Sequence, residues 1–185
     1  MPQKRKFFSE FFKKNSSVGS ITPSSRFLAN RMLRQIDFSE DIIIAELGPG
    51  TGVFTKKIIE KLNPGSKLYV FELNKEFVEI LQKNHPDPRV KFICDSASNI
   101  KKYLQQDGIT QVDYIVSSLP LSLIPDNIRT EIIEESFNIL KPGGIMTQFQ
   151  YSQHCRKLFE HYFSNVSTEF TFLNIPPAFI YVCER

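Results

Sequence analysis

Along this chain, short apolar runs alternate with stretches of helical period. Residues 42–47 form an apolar run that ends at a glycine-rich segment, and residues 53–62 then follow a helical pattern. A strand is predicted over 67–71, a helix over 75–83, a third strand over 90–94 and a fourth over 112–117. Residues 127–140 read as a helix stopped by Lys141-Pro142-Gly143-Gly144, before a fifth strand over 145–150 and a helix over about 153–163. This order implies βαβ units, hence a parallel sheet with helices on both faces. The end departs from it: strands over 166–173 and 179–183 flank a turn at Pro176-Pro177 with no helix between them. They predict an antiparallel hairpin at one sheet edge.

Ahead of the sheet, residues 4–14 read as a short amphipathic helix and 15–23 as a loop. Ser24 or Ser25 then caps a helix running to about Gln35, with Phe27, Leu28, Met32 and Leu33 as its apolar stripe. The expected organisation is an N-terminal helical segment, 1–35, and one α/β domain, 36–185.

Charge divides the chain the same way. Residues 1–35 carry eight Lys and Arg against Glu10, a net of +7, which leaves −4 for the other 150 residues of a chain whose total is +3. A basic end on a mildly acidic body suits an anionic surface, either nucleic acid or membrane. Cys94, Cys155 and Cys183 are scattered, without CxxC spacing, as are His85, His154 and His161. No disulfide framework and no metal site are expected, and the cysteine usage suits a reducing, cytoplasmic compartment. There is no run of 18 apolar residues, and Glu10, Lys13 and Lys14 interrupt any signal-peptide core.

The segment Glu46-Leu47-Gly48-Pro49-Gly50-Thr51-Gly52 follows a buried strand and opens a helix, as a nucleotide-type loop requires. Its glycines permit positive φ and close backbone approach to a ligand. The spacing is GxGxG, not GxGxxG, and no Lys-Ser/Thr follows, which disfavours pyrophosphate. A zwitterionic amino-acid ligand fits better, because Glu46 can take an ammonium group. Glu72, 20 residues past Gly52, ends the second strand where a carboxylate accepts from ribose hydroxyls. Asp95-Ser96-Ala97 ends the third.

Together these motifs resemble class I S-adenosylmethionine-dependent methyltransferases over about residues 40–185. The resemblance implies a Rossmann-like seven-stranded sheet, mostly parallel with a C-terminal antiparallel hairpin, and S-adenosyl-L-methionine as cofactor. It implies cofactor contacts from Glu46, Gly48, Pro49, Gly50, Gly52, Glu72, Leu73, Asp95, Ser96, Ala97 and Ser117, with the last acidic segment at the adenine edge.

After the fourth strand comes Ser117-Ser118-Leu119-Pro120-Leu121. Enzymes that methylate base amines carry Asn/Asp-Pro-Pro-Tyr or Asn-Leu-Pro-Tyr here. Ser118 replaces the Asn and Leu121 the stacking aromatic, while Pro120 keeps the bend and its carbonyl acceptors. That weakens base methylation and leaves room for an aliphatic amine. With Val18-Gly19-Ser20-Ile21-Thr22-Pro23-Ser24-Ser25 and Asn174-Ile175-Pro176-Pro177-Ala178, the chain looks like bacterial phospholipid N-methyltransferases, whose general pattern overlaps that of rRNA adenine dimethylases. The narrower resemblance implies a phospholipid amine substrate such as phosphatidylethanolamine, with Ser118, Leu119, Pro120 and Tyr151 at the reacting centre. Tyr151 or His154 are candidate proton acceptors, and Arg156 and Lys157 candidate phosphate contacts.

Within residues 4–14, Phe7/Phe11 and Phe8/Phe12 are i,i+4 pairs flanked by Lys and Arg, the composition of an interfacial helix on anionic lipid. Its length of about 16 Å is too short to span a bilayer. This reading makes an anionic membrane surface the partner and the inner face of the membrane the location. A lid over the domain and an RNA-binding arm are the other readings of the segment. For the whole chain, an rRNA adenine or small-molecule methyltransferase and a non-catalytic cofactor-binding membrane protein are the alternatives.

Overall fold

In the computed structural model the described residues are 26–172, 174 and 176–185. The expected helix over 4–14, the Ser24/Ser25 cap and the 18–25 motif lie outside them. The elements are α1 (Arg26–Leu33), β1 (Ile43–Leu47), α2 (Val53–Ile59), β2 (Lys67–Phe71), α3 (Lys75–Asn84), β3 (Val90–Ile93) and α4 (Ile100–Gln106). There follow β4 (Val112–Ser117), α5 (Asp126–Ile139), β5 (Leu140–Gln150), α6 (Arg156–Tyr162), β6 (Asn165–Thr171) and β7 (Ala178–Glu184).

The strands form one seven-stranded sheet in the order β3-β2-β1-β4-β5-β7-β6. The first five are parallel, and β7 runs antiparallel to both β5 and β6. The expected Rossmann-like sheet with its terminal hairpin is therefore observed, with β6 at the outer edge.

Because successive strand residues point to opposite faces, each strand feeds two cores. Ile44, Leu68, Val70 and Val116 pack with Leu28, Ala29, Met32 and Leu33 of α1 and with Phe54 and Ile58 of α2. Ala45, Leu47, Phe71, Ile115 and Met146 pack on the other face with Ile100 and Leu104 of α4, Ile128, Ile132 and Ile133 of α5, and Phe159 of α6. Each large side chain so buried stabilises the fold by roughly 1.5–3 kcal/mol relative to exposure. α1 is also tied to the hairpin. Arg31 and Arg34 both pair with Glu169 of β6, at 3.3 and 2.6 Å, and Arg31 donates to the Phe170 carbonyl.

Two sequence expectations need correction. No helix is expected between the third and fourth strands, yet a 3₁₀ turn (Ala97–Asn99) leads into α4 there. Only Ile100 and Leu104 give α4 an apolar face, too little to stand out, but both are fully buried. The fifth strand starts at Leu140, not 145: Leu140 pairs with Val112, and pairing resumes at Ile145 opposite Tyr114. The Lys141-Pro142-Gly143-Gly144 segment is thus an interruption within the strand, with Gly143 at φ +72°.

Candidate cofactor and acceptor site

Strand order reverses between β1 and β4, so their carboxyl ends open a crevice, the usual ligand position in such sheets. One register row crosses this end: Ile93, Phe71, Leu47, Ser117, Gln148 and Tyr181. The loops that leave it are stitched together by backbone bonds. Gly48 N–H donates to the Phe71 carbonyl, Ser118 N–H to Leu47, and Glu72 N–H to Ile93, at 2.9–3.0 Å.

Glu46 lies between Val70 and Val116 on the α1–α2 face and is fully buried. Both carboxylate oxygens lack a hydrogen-bond partner among the described residues. Burial pushes its carboxyl up to about 8, with neighbouring Thr55 pulling it down and Glu72 adding to the rise. A buried acid of this kind is costly to ionise unless a cationic partner compensates it. Next to it the loop turns through Gly48, Gly50 and Gly52, all at positive φ. A Cβ on Gly48 would stand 2.7 Å from Leu119 Cδ2 and one on Gly52 2.4 Å from Leu81 Cδ2, so these two glycines serve packing. A Cβ on Gly50 would meet nothing within 4 Å, so that side of the residue faces open space. Pro49 is buried between them.

Glu72 is 8% exposed, and its Oε1 accepts from Asn74 N–H at 2.9 Å. Burial raises its pKa, with the backbone N–H groups of Asn74, Gly50 and Leu73 offsetting part of the rise. It is not the cap of α3; Asn74 does that, accepting from Glu76 and Phe77 N–H. Leu73 is half-buried beside it. Asp95 is half-buried and held from two sides, by Ser96 N–H and by Tyr103 Oη, each at 2.8 Å. Ser96 caps the 3₁₀ turn through Ser98 N–H, and Ala97 is buried behind it.

On the acceptor side Ser117 is fully buried, its Oγ accepting from Leu119 N–H. Ser118 Oγ is buried with no partner among the described residues. Pro120 makes the bend into the 3₁₀ turn Leu121–Leu123. The Leu119 carbonyl, expected to be open to an amine, is instead saturated. It accepts from Leu121 N–H at 2.8 Å, from Gln150 Nε2 at 2.8 Å and from Gln148 Nε2 at 3.1 Å. Sequence reasoning missed both glutamines. Their signal is polarity at two alternate positions of an otherwise buried strand. Tyr151 follows directly, exposed, with its ring edge-on to Phe149 at 5.7 Å; His154 is exposed nearby.

These residues fit an S-adenosyl group: an orphaned buried carboxylate for an ammonium, an open glycine for close approach, and a buried carboxylate one strand away for a ribose diol. A methyltransferase domain family model matches residues 44–144. The chain belongs to this methyltransferase family. The methyltransferase is 29% identical over 180 residues to ornithine lipid N-methyltransferase of Singulisphaera acidiphila, covering 96% of this chain and 93% of that protein. It is 31% identical over 144 residues to ribosomal RNA small subunit methyltransferase A of Malacoplasma penetrans, covering 75% of this chain but 47% of that one. Among solved structures, 1,6-didemethyltoxoflavin-N1-methyltransferase of Burkholderia thailandensis, with bound 1,6-didemethyltoxoflavin and S-adenosylhomocysteine, shares the fold at TM-score 0.70 and 14% identity, over 98% of this chain and 86% of that one. This chain is an S-adenosyl-L-methionine-dependent methyltransferase.

Proposed function

We propose that this enzyme methylates the amine of a membrane lipid head group, such as phosphatidylethanolamine or an ornithine lipid. The end-to-end similarity to ornithine lipid N-methyltransferase carries the reading, whereas the ribosomal RNA relative is matched over less than half its length. The acceptor loop agrees with it. Leu121, where base methylases present a stacking aromatic, is fully buried in the core. Apolar side chains are also exposed along the catalytic rim: Leu123, Tyr151, Phe170 and Phe172. Phe170 and Phe172 belong there because Phe179, at the start of β7, pairs with Gln150, at the end of β5. Such a rim suits a lipid surface. Among the described residues no helix is long and apolar enough to cross a membrane. The enzyme meets the bilayer peripherally in this proposal, with the Phe-rich segment 4–14 on the anionic inner face of the membrane.

The cofactor supplies an activated methyl on a sulfonium. Glu46 would hold its ammonium, the Gly50 backbone would admit its amino-acid end, Glu72 would hold the ribose and Asp95-Ser96 the adenine edge. The protein's remaining task is positioning. Ser118 orients the acceptor nitrogen, and the apolar surroundings of Leu119 and Leu121 exclude water. An aliphatic ammonium titrates near 10.4 in water and must lose a proton to attack. Desolvation beside a cation favours that loss. Tyr151 and His154 stand at the rim, where the proton leaves.

The test is methyl transfer from labelled S-adenosyl-L-methionine to vesicles of phosphatidylethanolamine or ornithine lipid, with and without anionic lipid, by the full chain and by a deletion of residues 1–14. Labelled lipid that depends on anionic surface and on the deleted segment supports the proposal. Label in ribosomal RNA but in no lipid would overturn it.

A further inference from the structure

Gln148 and Gln150 are buried on the β5 face that also carries Met146, and both amides converge on one backbone atom. The Leu119 carbonyl already accepts from Leu121 N–H, which meets the requirement of a buried acceptor. Two further amide donors are more than folding needs. Burying glutamine costs desolvation, and here the cost is visible: Gln148 spends its donors on Leu119 and Phe149, and its Oε1 has no partner among the described residues. Local violations of this kind concentrate at functional sites. The other end of Leu119 is fixed as well, its side chain filling the space over Gly48 in the cofactor loop. Leu119 is therefore held between the cofactor loop and β5, and its carbonyl has no lone pair left for a substrate. Ser118, one residue earlier, retains a buried hydroxyl with no partner among the described residues.

We propose that Gln148 and Gln150 are positioning residues that lock the acceptor loop through the Leu119 carbonyl, so that Ser118, not Leu119, receives the N–H of the methyl acceptor. The assignment rests on the amine-methyltransferase reading above. It makes the loop specific for an amine read by one serine and a rigid bend, in place of a side-chain amide and two backbone carbonyls.

The test compares the wild-type chain with Gln150→Met, Gln148→Met/Gln150→Met, Ser118→Ala and Ser118→Thr. Methionine keeps the length and removes the donors. In the single variant Leu121 and Gln148 still satisfy the carbonyl, so the fold is retained. The double variant is expected to lose about 10-fold or more in kcat on amine-lipid vesicles, with the Kd for S-adenosylhomocysteine within about 2-fold of wild type. Ser118→Ala is expected to lose acceptor kcat/KM by about 10-fold and Ser118→Thr to restore it. Hydrogen exchange over residues 117–124, measured without any acceptor, is expected to speed up in both methionine variants. Unchanged exchange, or loss of cofactor affinity in parallel with kcat, would overturn the clamp. Unchanged acceptor kinetics in Ser118→Ala would overturn the serine's role. If the wild type methylates no lipid amine, the substrate reading fails while the exchange measurement still decides the clamp.

Discussion

If Glu46 holds the cofactor's ammonium as proposed, its protonation should tie cofactor affinity to pH. Burial raises the carboxyl to about 8, and neither oxygen has a hydrogen-bond partner among the described residues. A bound ammonium removes that penalty, so the ligand binds the ionised form and expels the proton. With a free-protein value of about 8 that falls when an ammonium binds, the ionised fraction limits affinity by up to about 100-fold at pH 6 and about 2-fold at pH 8. The Kd for S-adenosylhomocysteine is therefore expected to tighten by up to about 50-fold between these pH values, equivalent to about 2.3 kcal/mol, with the gain reduced near pH 8 as the ligand's own α-amine begins to lose its proton. Calorimetry in two buffers of different ionisation enthalpy reads both the affinity and the released proton. Glu46→Gln should flatten the profile and weaken binding at pH 8 by about 10- to 100-fold, the loss of a charge-assisted hydrogen bond. The unliganded protein has the opposite preference. A raised carboxyl pKa contributes stability fully below the unfolded value of 4.5 and loses it as pH rises toward about 8. Glu46→Gln should accordingly raise the Tm of the unliganded protein at pH 8. A pH-independent wild-type Kd, or an equal slope in Glu46→Gln, would refute the assignment of the ammonium to this residue.

Other outcomes follow from the loop and from α1. Gly50→Ala should cost about 1–2 kcal/mol of stability for its positive φ, yet lose most cofactor affinity, because its Cβ would enter the open space where the proposed site admits the ligand. Gly52→Ala should be the more destabilising in chemical denaturation, since its Cβ meets Leu81 as well. Arg31→Ala and Arg34→Ala should each cost no more than about 1 kcal/mol, fading at high salt, because their pairs with Glu169 are partly exposed. A coupling above that in a cycle with Glu169→Ala would mean that the α1–β6 contact is tighter than its exposure implies.

The linear pattern determined the strands, the terminal hairpin and the glycine loop. Each depends on local rules: alternation at period two, apolar runs of strand length, and glycines where positive φ is required. That Glu46, Glu72 and Asp95 lie near one another at the sheet's carboxyl edge was legible for the same reason, since each sits at or just past the end of a strand and strand ends in a parallel sheet share one edge. Tertiary structure alone decided which polar groups are satisfied. That Glu46 lacks a hydrogen-bond partner among the described residues, that Asp95 is held by Tyr103, and that the Leu119 carbonyl is closed to a substrate are facts about which groups the fold brings together. Gln150 lies 31 residues from the carbonyl it holds. α4 escaped for a related reason: two buried residues one turn apart are a weak sequence signal, and their burial is set by the sheet and α5 packed against them. Propensity and periodicity act along the chain, whereas desolvation and hydrogen-bond satisfaction depend on what the fold brings within 3 Å, and the acceptor chemistry of this enzyme rests on the second kind of information.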